Sequence, residues 1–153
     1  MSGLATLIKL VEHRSDEATV AWQRLAAQRD DAKHKLLLLQ KHGEGYRDLM
    51  RAELRHGMPA ASIVAHLGFI GQIEAVVVNQ EGELGQLQEA CARQWQELVS
   101  LRREKRTYEI LSERAAARDA VAASRRLRAE IDESLLRAVG RSAPVFRGGR
   151  FNE

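Results

Sequence analysis

The chain has 153 residues, of which 44% are hydrophobic and only 5% aromatic, and its formal net charge is +3. This length suits a single domain, and a lone cysteine excludes a disulfide framework or a cysteine-built zinc site. No apolar stretch approaches the eighteen or so residues of a membrane-spanning helix. The N-terminus lacks the charged and apolar regions of a signal peptide. A cytoplasmic protein is therefore expected.

The two prolines define the organisation of the chain. Pro59 is the only proline before Pro144, and the residues on either side of it are rich in Ala, Leu, Glu, Arg and Gln, which favour helices. With so few aromatic residues, there is little material for a thick globular core. The composition predicts an elongated, all-α molecule.

A first helix is predicted over about residues 3–56. Apolar residues alternate at spacings of four and three over six heptads, which is typical of a coiled coil. Ser15, Arg29 and Gly43 are the exceptions among the thirteen positions of this core stripe: Ile8, Val11, Ser15, Ala18, Trp22, Leu25, Arg29, Ala32, Leu36, Leu39, Gly43, Tyr46 and Met50.

A turn is predicted at residues 56–59. Gly57 can adopt the left-handed conformation that ends many helices, and Pro59 suits the first turn of the next one. Because the connection is so short, the two helices should fold back on each other as an antiparallel hairpin.

A second helix is predicted over about residues 59–139, with a less regular core stripe. If the turn is centred near residue 57, residue i lies opposite residue 115 − i, which pairs Tyr46 with Phe69 and brings Trp22 near Trp95. The stripe consists of Ile63, Leu67, Ile70, Ile73, Val77, Leu84, Leu87, Cys91, Trp95, Leu98, Leu101, Tyr108 and Leu111.

The second helix is predicted to be longer than the first, so that roughly its last 28 residues have no partner in the chain. Leu127, Ile131, Leu135 and Ala138 still form an apolar stripe there, which indicates a partner protein, fraying or self-association. Residues 1–139 would then form one helical hairpin, and residues 140–153 a disordered tail.

Charge is distributed unevenly along the chain. Residues 1–57 carry +2, residues 58–98 carry −4 and residues 99–153 carry +5. The basic C-terminal third could bind phosphates, but its arginines have acidic neighbours and stacking aromatic residues are lacking. Nucleic acid is therefore not an expected partner.

Chemical motifs are absent from the sequence. There is no phosphate-binding glycine loop, metal-spaced histidine pair or nucleophile elbow. We expect the five histidines at the surface and Cys91 in the core, with no catalytic residues, metal, cofactor or small-molecule substrate.

Four glycines lie near the turn, two on each helix. Gly43 and Gly45 are predicted to lie level with Gly68 and Gly71. The sequence leaves three interpretations open: close approach of the helices, a soft tip that adjusts to a partner, or plain tolerance of glycine within a long helix.

The chain resembles the FliJ family of flagellar export proteins from Leu4 to about Arg141. The resemblance is carried by residues 4–7 (LATL), the break at 56–59 (HGMP), and residues 69–75 (FIGQIEA), 108–114 (YEILSER) and 131–133 (IDE). It implies a two-helix antiparallel coiled coil, similar to the stalk of rotary ATPases, in a protein that catalyses nothing itself.

The resemblance also implies partners and a location. The free ends of the hairpin would bind the hexameric export ATPase, and the protein would contact the membrane-embedded export gate and handle empty export chaperones. It would act in the cytoplasm, peripherally associated with the inner membrane at the flagellar base, and serve flagellum biogenesis and motility.

The resemblance also implies which residues contact the partners. The family's aromatic and aliphatic gate contacts match Phe69 and Ile73, where Ile73 replaces the usual Leu. The expected ATPase contacts lie within residues 1–12 and 112–139, at Leu4, Leu7, Arg125, Arg126, Leu127, Arg128, Ile131 and Leu135. Two alternatives stay open: a stalk protein of a virulence-type injection system, and a structural coiled coil that assembles with itself.

Overall fold

A computed structural model describes residues 2–142 as two helices joined by a tight turn. Helix α1 spans Ser2–Arg55 and helix α2 spans Ala60–Ser142. At 1.5 Å per residue these helices are about 80 Å and 125 Å long. The predicted all-α hairpin with a longer second helix is confirmed. Helix α2 ends three residues beyond the predicted bound, and the rest of the predicted disordered tail lies outside the described residues.

The turn is built on Gly57. Its φ of 86° is the left-handed conformation, which glycine adopts without the steric cost of a Cβ. The N–H groups of His56 and Gly57 donate to the carbonyls of Glu53 and Leu54 at 3.1 and 3.3 Å, which closes the end of α1. Pro59 lies just before α2, and its carbonyl accepts the N–H of Ile63 at 3.2 Å.

The core is a single seam between the two helices. All thirteen predicted positions of the α1 stripe are buried or half-buried, including Ser15 and Arg29. Val11 and Leu98 are the most deeply buried of the larger side chains, at 1% exposure each. The 3.5-residue periodicity therefore marks the packed face of α1 along its whole length.

The predicted register of the hairpin is observed. The rings of Tyr46 and Phe69 lie 4.6 Å apart between centroids, and those of Trp22 and Trp95 lie 5.3 Å apart. The numbers of the residues in these pairs add to 115 and 117, against the predicted 115. Such tilted aromatic pairs stabilise a fold beyond the apolar area that they bury.

Two glutamine side chains of α2 bridge the two helices. Nε2 of Gln80 donates to the carbonyl of Ala32 at 3.2 Å, and Nε2 of Gln94 donates to the carbonyl of Ala18 at 3.4 Å. The gap between Val77 and Leu84 in the core stripe is thus filled by a side chain that bonds the facing backbone.

The α2 stripe departs from the prediction at three positions. Leu67, Trp95 and Leu111 are 55%, 44% and 41% exposed, although the Trp95 ring still packs against Trp22 of α1. At the first of these heights the neighbouring residue, His66, faces α1 and is half-buried, so its predicted surface position is wrong. His66 and Leu67 lie on the two sides of the edge of the core stripe, so either could face α1. The side chain that faces α1 is His66, whose ring packs against that of Tyr46.

Gly43 is the glycine at which the helices approach closely. It is buried, and a Cβ built on it would lie 3.3 Å from Cγ2 of Ile73. The corresponding positions on Gly45, Gly68 and Gly71 have no atom within 4 Å. Close approach therefore explains Gly43 and not its neighbours.

Helix α2 extends beyond the start of α1. Ala115 is the last buried residue among residues 2–142, at 8% exposure, and every residue from 116 to 142 is exposed. We call residues 116–142 the overhang; it comprises about 40 Å of helix without a partner.

Candidate partner-binding surfaces

The described residues offer exposed surfaces and open grooves along the two helices. Among residues 2–142, no cluster of His, Cys, Asp or Glu side chains is arranged to hold a metal ion. The depressions along the helices are open grooves, such as the one between Leu39, Gly43, Ile73 and Val77 beside the turn. Cys91 is a free thiol with 4% exposure, so it is a core residue, as predicted.

Beside the turn, a polar and aromatic cluster joins the two helices. The Tyr46 hydroxyl is hydrogen bonded to Nδ1 of His66, whose Nε2 lies 3.6 Å from a carboxylate oxygen of Glu53. The other side of the Tyr46 ring packs edge-on against Phe69. Sequence periodicity did not identify this cluster, because it treats a polar residue within a core stripe as an interruption.

The two predicted gate contacts lie one turn apart on the α1-facing side of α2, but they differ in exposure. Phe69 is 46% exposed although Tyr46 covers one edge of its ring. Ile73 is half-buried in the seam, where its Cγ2 meets Gly43. Because of this difference in exposure, Phe69 has surface available for a partner, whereas Ile73 contributes mainly to helix packing.

The outward face of α2 near the turn is also apolar. Val64, Leu67 and Val78 are 71%, 55% and 64% exposed. Contrary to the sequence-based expectation, an 18-residue window of α2 reaches a mean hydropathy of 1.7 with none of it buried. By length and composition alone, this is enough to cross a membrane. The valines and isoleucines between residues 63 and 78 raise the average although Gly, Gln and Glu interrupt the run.

The start of α1 and the adjoining part of α2 form the opposite end of the paired region. Leu4 is half-buried and Leu7 is 39% exposed. Nearby, Lys105 bonds Glu12 at 3.0 Å, and this hydrogen bond raises the pKa of Lys105 above its ordinary value. These two side chains join α1 to α2 near the start of α1.

The overhang carries the predicted ATPase contacts on one helical stripe. Leu127, Ile131 and Leu135 are 58%, 50% and 58% exposed. Arg125, Arg126 and Arg128 are exposed alongside them. The structure thus brings these six residues together on one segment. It does not bring them near Leu4 and Leu7, because the overhang extends away from the start of α1, where these leucines lie.

Comparison with known proteins bears on the identity of this hairpin. The family model described as "Flagellar FliJ protein" matches residues 1–144, which is nearly the whole chain. The chain belongs to the FliJ family. No curated protein and no solved structure gives a significant match. The resemblance inferred from the sequence is confirmed.

Membership of the FliJ family establishes the general role. The protein is a component of the flagellar export apparatus, and the family is a non-enzymatic one with a place in the cytoplasm or at the flagellar base.

Proposed function

We propose that this FliJ-family protein couples the flagellar export ATPase to the export gate by binding both. The match with the family over residues 1–144, which includes both ends of the hairpin, carries the proposal. The overhang and the start of α1 bind the ATPase hexamer, the apolar surface near the turn binds the membrane-embedded gate, and empty export chaperones dock on the hairpin. The protein is then peripheral to the inner membrane at the flagellar base.

The chemistry of the overhang supports its assignment to the ATPase. Its exposed stripe offers Leu127, Ile131 and Leu135 at helical spacing, which suits insertion of an amphipathic helix into an apolar groove. Arg125, Arg126 and Arg128 lie alongside and would meet an acidic rim.

Truncation after Ser112 tests the ATPase assignment. We expect the truncated protein to lose binding to the purified export ATPase, because the whole overhang is removed. Most of the hairpin should stay helical by circular dichroism, since the core residues from Val11 to Leu98 are retained. Undiminished binding by the truncated chain would refute this part of the proposal.

The surface near the turn supports the assignment to the gate. Phe69 exposes almost half of its surface, and Leu67 and Val64 are exposed on the other side of the same helix. Exposed apolar patches of this kind mark interaction sites, and a half-exposed aromatic ring held by Tyr46 is a typical anchor of an interface.

Alanine substitutions separate gate binding from folding. The Phe69→Ala, Ile73→Ala double variant should lose gate binding and motility with little loss of helicity. The single variants divide the effect: Phe69→Ala should account for most of the lost binding, and Ile73→Ala for most of the lost stability. Leu37→Ala, which removes a 57% exposed side chain in the middle of α1 and away from the turn, is the control. A double variant that unfolds would show that both residues belong to the core.

A further inference from the structure

The orientation of the Phe69 ring is set by a residue of the other helix. Phe69 belongs to α2 and is 46% exposed. Its ring meets that of Tyr46, on α1, edge to face at an interplanar angle of 60° and a centroid distance of 4.6 Å. Aromatic pairs of this geometry are favoured beyond the area that they bury. The contact therefore selects one orientation of a ring that is otherwise half in solvent.

Tyr46 is itself held in place by two residues beside the turn. Its hydroxyl is hydrogen bonded to Nδ1 of His66, and the two rings lie 5.5 Å apart between centroids. Nε2 of His66 lies 3.6 Å from a carboxylate oxygen of Glu53. A continuous series of contacts thus runs from Glu53 through His66 and Tyr46 to Phe69, and it crosses the seam between the helices twice.

Such a series of contacts matters for the binding of a partner. A half-exposed side chain on a helix can occupy several rotamers, and a partner that receives it in one rotamer has to overcome the loss of this freedom. For one side chain the loss corresponds to about a two- to tenfold change in affinity. A ring that is already held in the bound orientation avoids most of this cost.

We infer that Tyr46 is a positioning residue for binding of the export gate. Its ring holds Phe69 in the orientation that the gate receives, and its bond to His66 keeps the Tyr46 ring in place. The inference rests on the proposed function, in which Phe69 contacts the gate. It extends that function to α1, whose Tyr46 does not itself touch the partner.

Affinities of full-length variants for the detergent-solubilised gate protein test this role by biolayer interferometry. Tyr46→Leu keeps an apolar side chain in the seam but removes the ring, so it should weaken binding about two- to tenfold. Tyr46→Phe keeps the ring and loses only the hydroxyl bond, so it should recover part of that affinity.

Gln94→Ala is the control for a general loss of stability. It removes another hydrogen bond between the helices, the one to the carbonyl of Ala18, at a point about 38 Å along α2 from Phe69. It should bind the gate as tightly as the wild type does. Circular dichroism at the temperature of the binding assay establishes that each variant is folded.

A double-mutant cycle with Phe69→Ala distinguishes positioning from direct contact. If Tyr46 acts only by holding the Phe69 ring, Tyr46→Leu should have no further effect once that ring has been removed. A Tyr46 side chain that touched the gate would keep its full effect in the Phe69→Ala background, and that result would overturn the inference.

The state of the Phe69 ring in the free protein gives a second measurement, which needs no partner. The chain has three phenylalanines, so 4-fluorophenylalanine gives three ¹⁹F signals, and Phe69→Ala identifies one of them by its loss. That signal should shift in Tyr46→Leu, because the edge-to-face contact is lost, and should shift less in Tyr46→Phe. An unchanged signal in Tyr46→Leu would overturn the inference.

The binding results separate failure of this inference from failure of the proposed function. Wild-type affinity of Phe69→Ala would contradict the gate assignment and this inference together. Weak binding by Phe69→Ala with wild-type affinity of Tyr46→Leu would overturn this inference alone. Binding by Tyr46→Phe that is no tighter than that of Tyr46→Leu would overturn it as well, because the ring would then have no role.

Discussion

Leu98 provides the sharpest test of the hairpin core. It is 1% exposed and lies one turn beyond Gln94, which bonds the backbone of the facing helix. Leu98→Ala removes three buried carbons, which costs about 2–3 kcal/mol in lost burial. The remaining cavity adds to this cost, and measured Leu→Ala changes span about 2.7–5 kcal/mol. In a two-helix seam the neighbours can move in, so we expect about 3 kcal/mol.

Urea denaturation followed by circular dichroism measures this cost. With a dependence of about 1–3 kcal/mol per molar urea, the midpoint should fall by about 1–3 M. Leu136→Ala is the matched control, because it makes the same substitution on the same helix at a residue that is 73% exposed. A loss for Leu98→Ala no greater than that of the control would refute the described register and core.

Three further predictions concern single contacts, each measured by urea denaturation. Gly57→Ala forces a Cβ into a left-handed turn with φ of 86° and should cost about 1 kcal/mol; an unchanged midpoint would contradict the turn. Tyr46→Phe removes the hydroxyl bonded to His66 and should cost about 1 kcal/mol; equal stability would show that the bond contributes nothing. Lys105→Gln should lower the midpoint at pH 8, because the hydrogen bond that Lys105 donates to Glu12 raises the pKa of Lys105 and so stabilises the folded, charged form. That contribution is complete below the unfolded value of 10.5 and is lost as pH rises through the higher folded value, so the gap between the two proteins should close above pH 10.5; a gap that stays constant to higher pH would contradict it.

The sequence predicted the hairpin because one periodicity governs nearly all of its packing. The 3.5-residue repeat marks all the core positions of α1 except Ala26, and a single turn at Gly57 then determines the register. On α2 the repeat does not predict the buried side chain at positions where a contact with a particular residue of α1 determines the packing. His66 replaces Leu67 because its ring reaches the Tyr46 hydroxyl, and Trp95 packs one face on Trp22 while the rest of its ring reaches solvent.

The candidate surfaces were predictable to different degrees. The overhang follows from arithmetic, because an 83-residue helix cannot be covered by a 54-residue one. The exposed side of Phe69 does not follow, since it depends on how Tyr46 and His66 pack against each other. The search for an unbroken apolar run missed the uncovered window of α2, because its apolar residues are separated by Gly, Gln and Glu, whereas the mean hydropathy of the window identifies it.

The central claim is that the apolar stripe of the overhang binds the export ATPase. It is tested most directly by tagging the full-length protein in its native cells and measuring the ATPase that copurifies with it. Leu127→Asn, Ile131→Asn, Leu135→Asn should remove the ATPase from the purified fraction. The control Ala122→Asn, Ala129→Asn, Leu136→Asn changes the opposite face of the same helix and should retain it. Equal recovery of the ATPase with both variants would contradict the account.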